Sequence, residues 1–221
     1  MRTSFQTCRS FEFPFRVRVQ KRMIYKTIIF DFDGTIADTM EEGRRIFNEI
    51  GPEYGIRQID REEMEGFRSY TINQFIEEMK IPKTKVPFFI AKGTLAMRRS
   101  IAGLPLIAGV GEVLPVLRAQ VDRFGILTSN AVDNVELFLD SHGIRGLFDF
   151  VSSTSKLTGK SRHLNATRKQ YKLKAEEMLY VGDEVRDLKA AKKAGIPCAG
   201  VTWGFNTRER LAAEQPEHLL D

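Results

Sequence analysis

The chain has 221 residues, of which 42% are hydrophobic and 29% are charged, and its formal net charge is +5. This composition is ordinary for a globular protein, and no apolar run approaches the roughly 20 residues that a membrane-spanning helix needs. Cys8 and Cys198 lie far apart in unlike contexts, so they indicate neither a disulfide framework nor a cysteine metal site, which suits a reducing compartment.

The positive charge belongs to the first 22 residues. Six basic residues against one acid, Glu12, give this segment a net charge of +5, so residues 23–221 are close to neutral. A basic tail on a neutral body does not indicate nucleic-acid binding. The segment resembles some transit peptides, but we favour a start site placed too early, with Met23 beginning the native protein. We expect residues 1–22 to be a poorly ordered basic tail.

The first predicted strand ends in two acids. Ile28 to Phe30 is a continuous apolar run, typical of a strand buried on both faces of a parallel sheet, and Asp31-Phe32-Asp33-Gly34-Thr35 follows it directly. Burying an unpaired charge is costly, so the acids indicate a polar site at the carboxyl edge of the sheet, where such sheets bind ligands. Gly34 allows a sharp turn. A plain strand-to-turn junction is the alternative, but a turn needs only one Asp.

Residues 39–103 have a helical pattern throughout. The apolar residues between Ile72 and Met79 recur at three- and four-residue spacing, and Phe88–Arg99 is amphipathic. An all-helical block within an α/β sequence predicts an inserted cap domain at 39–103, on a core formed by residues 23–38 and 104–221.

Two features of this block concern its borders and its surface. The glycines and proline between Gly103 and Gly111 predict a second hinge, and Gly109-Val110-Gly111 is better explained as a helix start than as a phosphate-binding loop. Arg68 and Ser69, in a break between two cap helices, are candidates to touch a substrate.

Strands and helices then alternate to the end of the chain. This alternation predicts a parallel, doubly wound sheet of the α/β class. The strands are predicted at Phe124–Thr128, Phe148–Ser152, Met178–Gly182 and, as the last, Ala199–Val201, and the helices at Val132–His142, Leu164–Tyr171 and Leu188–Ala194.

Polar residues follow the second and third of the predicted strands. Thr128-Ser129-Asn130 precedes a helix, where backbone amides form a natural anion site, although a simple helix cap would use the same residues. Lys156 and Lys160 both lie before the next helix, where a lysine could neutralise a phosphate, although most loop lysines are merely solvated.

A second acidic motif follows the strand that ends at Gly182. In Asp183-Glu184-Val185-Arg186-Asp187 the outer acids are four residues apart, so they lie on one side of a helical turn. Carboxylate and carbonyl oxygens are the ligands that Mg²⁺ prefers. An acidic helix N-terminus, favoured by the helix dipole, is the alternative.

Taken together, residues 24–205 resemble the haloacid dehalogenase-like (HAD) hydrolase superfamily. Asp31–Thr35 and Gly182–Asp187 carry the resemblance, and the helical insert and Gly200–Phe205 are similar to the phosphoglycolate phosphatase-like branch. The resemblance implies a Rossmann-like core with a small all-helical cap.

The resemblance also implies the roles of individual residues. Asp31 would be the nucleophile that forms an aspartyl-phosphate, and Asp33 the acid and then the base. Lys160, which fits the family pattern better than Lys156, would hold the phosphate together with Thr128. The wider implied phosphate set is Gly34, Thr35, Thr128, Ser129 and Asn130, and the implied Mg²⁺ set is Asp31, the carbonyl of Asp33, Asp183 and, in support, Asp187.

These observations predict a Mg²⁺-dependent phosphatase for a small phosphorylated metabolite, with phosphoglycolate as the first candidate. A sugar phosphomutase of the same fold and a phospho-accepting signalling domain are the alternatives, and a non-catalytic binding protein is disfavoured by the intact motifs. We expect a cytoplasmic monomer or homodimer without nucleic-acid or membrane partners.

Overall fold

The computed structural model describes residues 24–154 and 159–221. The predicted tail at 1–22 and the candidate Lys156 lie outside the described residues. The strands are β1 (Thr27–Phe30), β2 (Arg123–Thr128), β3 (Phe150–Ser153), β4 (Met178–Gly182), β5 (Cys198–Val201) and β6 (His218–Leu220). The helices are α1 (Met40–Ile50), α2 (Arg61–Phe67), α3 (Ile72–Glu78), α4 (Val86–Met97), α5 (Val110–Arg118), α6 (Val132–Ser141), α7 (Lys160–Gln170), α8 (Val185–Ala194) and α9 (Arg208–Ala212). Among the described residues, none of the helices is long and apolar enough to cross a membrane.

The strands form one parallel sheet in the order β3-β2-β1-β4-β5-β6. β1 lies between β2 and β4, so that Phe30 is aligned with Ile126 on one side and with Val181 on the other. The chain crosses to the other side of β1 between β3 and β4, which makes the carboxyl end of β1 the switch point where such sheets bind ligands. The predicted parallel, doubly wound sheet is confirmed.

Alternate side chains of the sheet enter two separate cores. On one face, Ile28 and Phe30 pack in a cluster with Phe138 of α6. On the other face, Ile29 and Tyr180 pack in a cluster that includes residues of α7, α8 and α9. Since neighbouring residues of a strand point to opposite faces, the continuous apolar runs of the sequence are explained by helices on both sides.

Several predicted boundaries are wrong, and so is the predicted end of the sheet. α7 and α8 begin at Lys160 and Val185, earlier than predicted, because their first turns are mostly polar and carry no apolar repeat. Ala199–Val201 is not the last strand, since α9 and the edge strand β6 follow it. With three residues, β6 is too short to show a strand pattern in the sequence.

Residues 39–103, called the helical insert below, contain α1–α4 and have their own cluster of buried residues around Phe47. The segments that lead into and out of the insert pair with each other. Ala37 forms an antiparallel bridge with Leu106, and the N–H of Ile107 donates to the carbonyl of Ile36 at 2.9 Å. This is the helical block that the sequence predicts, whereas its status and borders as a separate cap domain stay a prediction.

Replacing Phe47 by alanine tests whether the insert is a unit of its own. Phe47 is buried, and its ring contacts the rings of Phe75 and Phe89 edge to face. We expect Phe47→Ala to lower the free energy of unfolding by about 3–5 kcal/mol because it leaves a cavity. Amide hydrogen exchange should then speed up in α1–α4 and stay slow in β1 and β4.

Leu95→Ala is the matched control, because Leu95 is an apolar residue of α4 that is 66% exposed. Its free energy of unfolding should stay within about 0.5 kcal/mol of that of the unmutated protein. If amide hydrogen exchange in the Phe47→Ala variant speeds up in the insert and in the sheet alike, this would argue against a separate cap domain.

Candidate active site

The acids of the first motif come from one tight turn at the end of β1. Asp31 directly follows β1 and is buried, and its Oδ1 accepts a hydrogen bond from the N–H of Phe32 at 2.8 Å. Gly34 has a φ of +69°, and its N–H donates to the carbonyl of Ala37 at 2.9 Å. Because other residues rarely adopt such a φ, Gly34 permits the chain to turn directly after Asp33.

Lys160 places its ammonium group between two buried carboxylates. Its Nζ lies 2.6 Å from Oδ2 of Asp31 and also contacts Oδ1 of Asp187. Burial alone would lower the pKa of Lys160, but the carboxylates of Asp187 and Asp31 outweigh burial and raise this pKa well above its usual value. The ammonium group therefore stays charged and compensates acids that come from two different strand ends.

Asp183, at the end of β4, is fully buried and has both carboxylate oxygens hydrogen-bonded. Oδ1 accepts from the hydroxyl of Thr35 at 2.9 Å, and Oδ2 accepts from the N–H of Phe205 at 2.7 Å. A Cβ atom on Gly34 or Gly204 would collide with this carboxylate, so both glycines are needed for the close approach of the backbone. Burial, and then repulsion from neighbouring acids, raises the pKa of Asp183 well above its usual value.

Three acids, two of which contact Lys160, form a group that could hold a divalent cation. Carboxylate oxygens of Asp31, Glu184 and Asp187 all lie within 4.8 Å of one another. Burial, opposed by Lys160, raises the pKa of Asp187 to about 7. Glu184 was not among the predicted ligands, although two adjacent acids after β4 are a signal that could have found it.

Asp33 is held by an asparagine from the end of β2. Nδ2 of Asn130 lies 3.1 Å from both carboxylate oxygens of Asp33. Burial, and then repulsion from Asp31, raises the pKa of Asp33 to about 6, while the hydrogen bond from Asn130 opposes the shift. A carboxyl group with a pKa near neutrality is suited to give up and take back a proton.

Two of the other predicted phosphate contacts, Thr128 and Thr35, have partners inside the protein. Thr128 is fully buried, and its hydroxyl oxygen accepts from the N–H of Asn130 at 3.0 Å. α6 has Ala131 as its N-cap, so Thr128 does not cap that helix. Ser129 is half-buried in the bend between them. Thr35 donates its hydroxyl proton to Asp183, as described above.

The two predicted cap residues differ in what they contact. Arg68 joins the insert to the loop after β5, because its Nη2 donates to the carbonyl of Thr202 at 2.9 Å and its own carbonyl accepts from Asn206 at 2.9 Å. Ser69 donates to a carbonyl of α2 at 2.8 Å and stays within the insert. Asn206, which was not among the predicted site residues, also accepts from the N–H of Val185 at 2.9 Å.

An apolar cavity lies away from these acids. It is a groove of about 630 Å³ between the sheet and α5, lined mainly by apolar side chains such as Leu179, Val181 and Val201. A smaller cavity of about 290 Å³ lies where the insert meets the loop after β5, and Arg61 and Arg68 are among its lining residues.

The chain is similar to a known family and to proteins of one named activity. Residues 28–201 match the family model described as haloacid dehalogenase-like hydrolase. A phosphoglycolate phosphatase of Synechococcus elongatus is 32% identical over 196 residues, which cover 89% of this chain and 92% of that protein. A phosphoglycolate phosphatase of Salmonella typhimurium is 31% identical over 122 residues, which cover 54% of this chain and 48% of that protein.

Among solved structures, a haloacid dehalogenase-like family hydrolase from Streptococcus pneumoniae superimposes with a TM-score of 0.77. The match covers 89% of this chain and 94% of that one at 20% sequence identity. At this identity the likeness shows a shared fold.

Replacing Asp33 by asparagine should stabilise the metal-free protein at high pH. Because its pKa is raised, the folded protein binds the Asp33 proton more tightly than the unfolded chain does. The stabilisation from Asp33 is therefore complete below about pH 4 and is lost as the pH rises through about 6. We expect Asp33→Asn to raise the free energy of unfolding by about 1–2 kcal/mol at pH 8 and by little at pH 4, measured by denaturant unfolding in EDTA.

Asp38→Asn is the matched control, since Asp38 is an exposed acid that follows the same turn. It should change stability equally little at both pH values. An equal gain from Asp33→Asn at pH 4 and pH 8 would show that the charge of Asp33 is not the cause.

Proposed function

Because the chain belongs to the haloacid dehalogenase-like hydrolase family and is a phosphatase of the phosphoglycolate phosphatase-like branch, we propose that it hydrolyses phosphoglycolate through an aspartyl-phosphate intermediate, with Mg²⁺ as cofactor. One observation carries the mechanism. A single turn presents Asp31 and Asp33, with Lys160 bound to the first and Asn130 to the second. The two acids have different partners and can therefore take different roles.

In this mechanism Asp31 is the nucleophile. Its carboxylate forms a bond to phosphorus while the bond from phosphorus to the leaving oxygen breaks, and water later releases the phosphate. A covalent intermediate divides one difficult hydrolysis into two easier steps. The ammonium group of Lys160 and the hydroxyl group of Thr128 would stabilise the charge on the transferred phosphoryl group, since this chemistry depends mostly on positioning and electrostatics.

Asp33 acts first as the acid and then as the base. It gives its proton to the leaving oxygen in the first step and takes one from the attacking water in the second. The pKa of about 6 supports both roles, because neither protonation state is strongly disfavoured near neutral pH. The amide of Asn130, bonded to both carboxylate oxygens, holds the group in one orientation.

The donor set fits a hard divalent cation. Carboxylates crowd one buried place, and burial, followed by repulsion between the acids, raises the pKa values of Asp183 and Asp187. We propose that Asp31, the carbonyl of Asp33, Asp183 and Asp187 hold Mg²⁺, which when bound neutralises charge on the phosphoryl oxygens.

Glu184 is the competing ligand. It belongs to the group of three acids, but its carboxylate also pairs with Arg186 and caps the N-terminus of α8. These contacts explain the position of Glu184 without a metal. The buried carboxylate of Asp183 is instead oriented by two hydrogen bonds, which is typical of a metal ligand.

The cavity between the insert and the loop after β5 is the candidate place for the leaving group. Arg61 and Arg68 line it and pair there with Glu41 and Glu65. A substrate carboxylate would replace one of these acids as the partner of a guanidinium group. Phosphoglycolate carries such a carboxylate on its leaving group, and the Synechococcus relative is a phosphoglycolate phosphatase. Arg68 stays the better of the two predicted cap contacts, because Ser69 uses its hydroxyl group within the insert.

The alternatives are less well supported. A phosphomutase needs an insert that excludes water from the aspartyl-phosphate and binds a bisphosphate. A phospho-accepting signalling domain must keep its phosphate and has no use for a proton donor such as Asp33. The cytoplasmic location and the state as monomer or homodimer stay predictions.

Phosphate release from a panel of metabolites, with and without Mg²⁺, tests the proposal. We expect Mg²⁺-dependent release from phosphoglycolate, and Asp31→Asn should lower this turnover at least about a thousandfold while circular dichroism shows that the fold persists. The control Asp140→Asn, at an exposed position of α6, should stay active. Normal turnover by Asp31→Asn would refute the nucleophile, and isomerisation of sugar phosphates without release would favour the mutase.

Two isosteric variants separate the candidate metal ligands. Asp183→Asn should raise the Mg²⁺ concentration for half-maximal activity about 10-fold or more, because loss of a ligand weakens binding. Glu184→Gln should raise it less than about 3-fold, since its main contacts are with Arg186 and the end of α8. The reverse order would make Glu184 the ligand.

A further inference from the structure

Asn134, a residue that the proposed mechanism does not use, stands between the helical insert and the catalytic turn. It lies in the first turn of α6 and is 2% exposed. Its Nδ2 group donates at 3.0 Å to Oδ1 of Asn130 and at 3.1 Å to the carbonyl of Thr94 in α4. One buried amide group thus contacts both the insert and the residue that holds Asp33.

The orientation of the Asn130 amide depends on donors that face its oxygen. Oδ1 of Asn130 accepts from the N–H of Ala131 at 2.8 Å and from Asn134 at 3.0 Å. With its oxygen held by two donors, the amide must direct its NH₂ group to the carboxylate of Asp33. In the opposite orientation the amide oxygen of Asn130 would face the carboxylate of Asp33. An ionised carboxylate has no proton to donate to that oxygen.

The other end of the chain of hydrogen bonds is a backbone carbonyl group of the insert. Thr94 lies in the last turn of α4, where backbone carbonyls lack a partner within the helix. Asn134 supplies that partner from the core of the protein. The position of α4 is therefore linked to Asp33 through three successive hydrogen bonds, from Thr94 to Asn134, to Asn130 and to Asp33.

We infer that Asn134 is a positioning residue that aligns the acid Asp33 when the helical insert is seated against the core. A shift of α4 away from α6 removes the carbonyl that holds Asn134, and the support of Asn130 is lost with it. The inference rests on the proposed role of Asp33 as the acid. A purely structural role, in which Asn134 only caps α4, would affect all substrates alike.

The leaving group distinguishes these two roles. An alkyl phosphate such as phosphoglycolate releases a strongly basic oxygen and needs the proton of Asp33, whereas p-nitrophenyl phosphate releases a weakly basic phenolate and does not. The ratio kcat/KM reports the first chemical step, in which that proton is transferred. We expect Asn134→Ala to lower kcat/KM about 10- to 100-fold for phosphoglycolate and less than about 3-fold for p-nitrophenyl phosphate. If the panel identifies another alkyl phosphate as substrate, that ester takes the place of phosphoglycolate.

Asp133→Asn is the matched control. Asp133 is the neighbour of Asn134 and also links α6 to the end of α4, through an ion pair with Arg98 at 3.6 Å, but its side chain is 79% exposed. This variant should change kcat/KM less than about 2-fold for both esters. Asn134→Asp, which keeps the shape but loses the donors, replaces Asn134→Ala if thermal unfolding shows that the alanine variant is not folded.

Three results separate the inference from the proposed function. Equal losses of kcat/KM for both esters in the folded Asn134 variant would overturn the inference and leave only a structural role. If kcat/KM falls selectively for the alkyl ester in Asp33→Asn but not in Asn134→Ala, the inference is overturned while the role of Asp33 stands. Absence of selective loss in Asp33→Asn would refute the proposed acid itself.

Discussion

The ion pairs of Lys160 are the interaction on which the site depends. A buried carboxylate without a partner is unfavourable, yet acids from the ends of β1 and β4 meet here at one edge of the sheet. The ammonium group between Asp31 and Asp187 compensates two of these charges. Asp183 and Asp33 instead rely on neutral donors, namely Thr35, the N–H of Phe205, and Asn130.

The burial of these acids lowers the stability of the folded protein and suits the proposed phosphoryl transfer. Burial raises the pKa values of Asp33, Asp183 and Asp187, which means that the folded protein holds these groups in their charged forms only at a free-energy cost. The same crowding of negative charge makes the place attractive to a cation and keeps a proton available near neutral pH. Neutral side chains at these positions would remove this free-energy cost, together with groups that the proposed mechanism needs.

The helical insert meets the core at more than its two connecting segments. Arg68 is bonded to the loop after β5, and Thr94 is bonded through Asn134 to the residue that holds Asp33. These contacts link the insert to the turn that carries Asp31 and Asp33, which lies close to Thr39, where the insert begins. They also bring together residues that are far apart in the chain, such as Arg68 and Asn206.

The sequence by itself determined the sheet class, the helical insert and the acids of both motifs, because these depend on local patterns: apolar runs, helical spacing, and charges where a buried strand ends. It could not determine the partners of those acids. Lys160 and Asn130 were candidates with weak signals. Asn134 and Asn206 were missed, since a single polar residue on a helix or in a loop has no periodic pattern, whereas Glu184 was passed over although it adjoins Asp183. Only the tertiary structure decided which acid faces Lys160, which one accepts from Thr35, and that β6 extends the sheet beyond β5. The reason is physical: each of these contacts joins residues from separate elements, and their distance is set by how strands pair and helices pack, which no local stretch of sequence encodes.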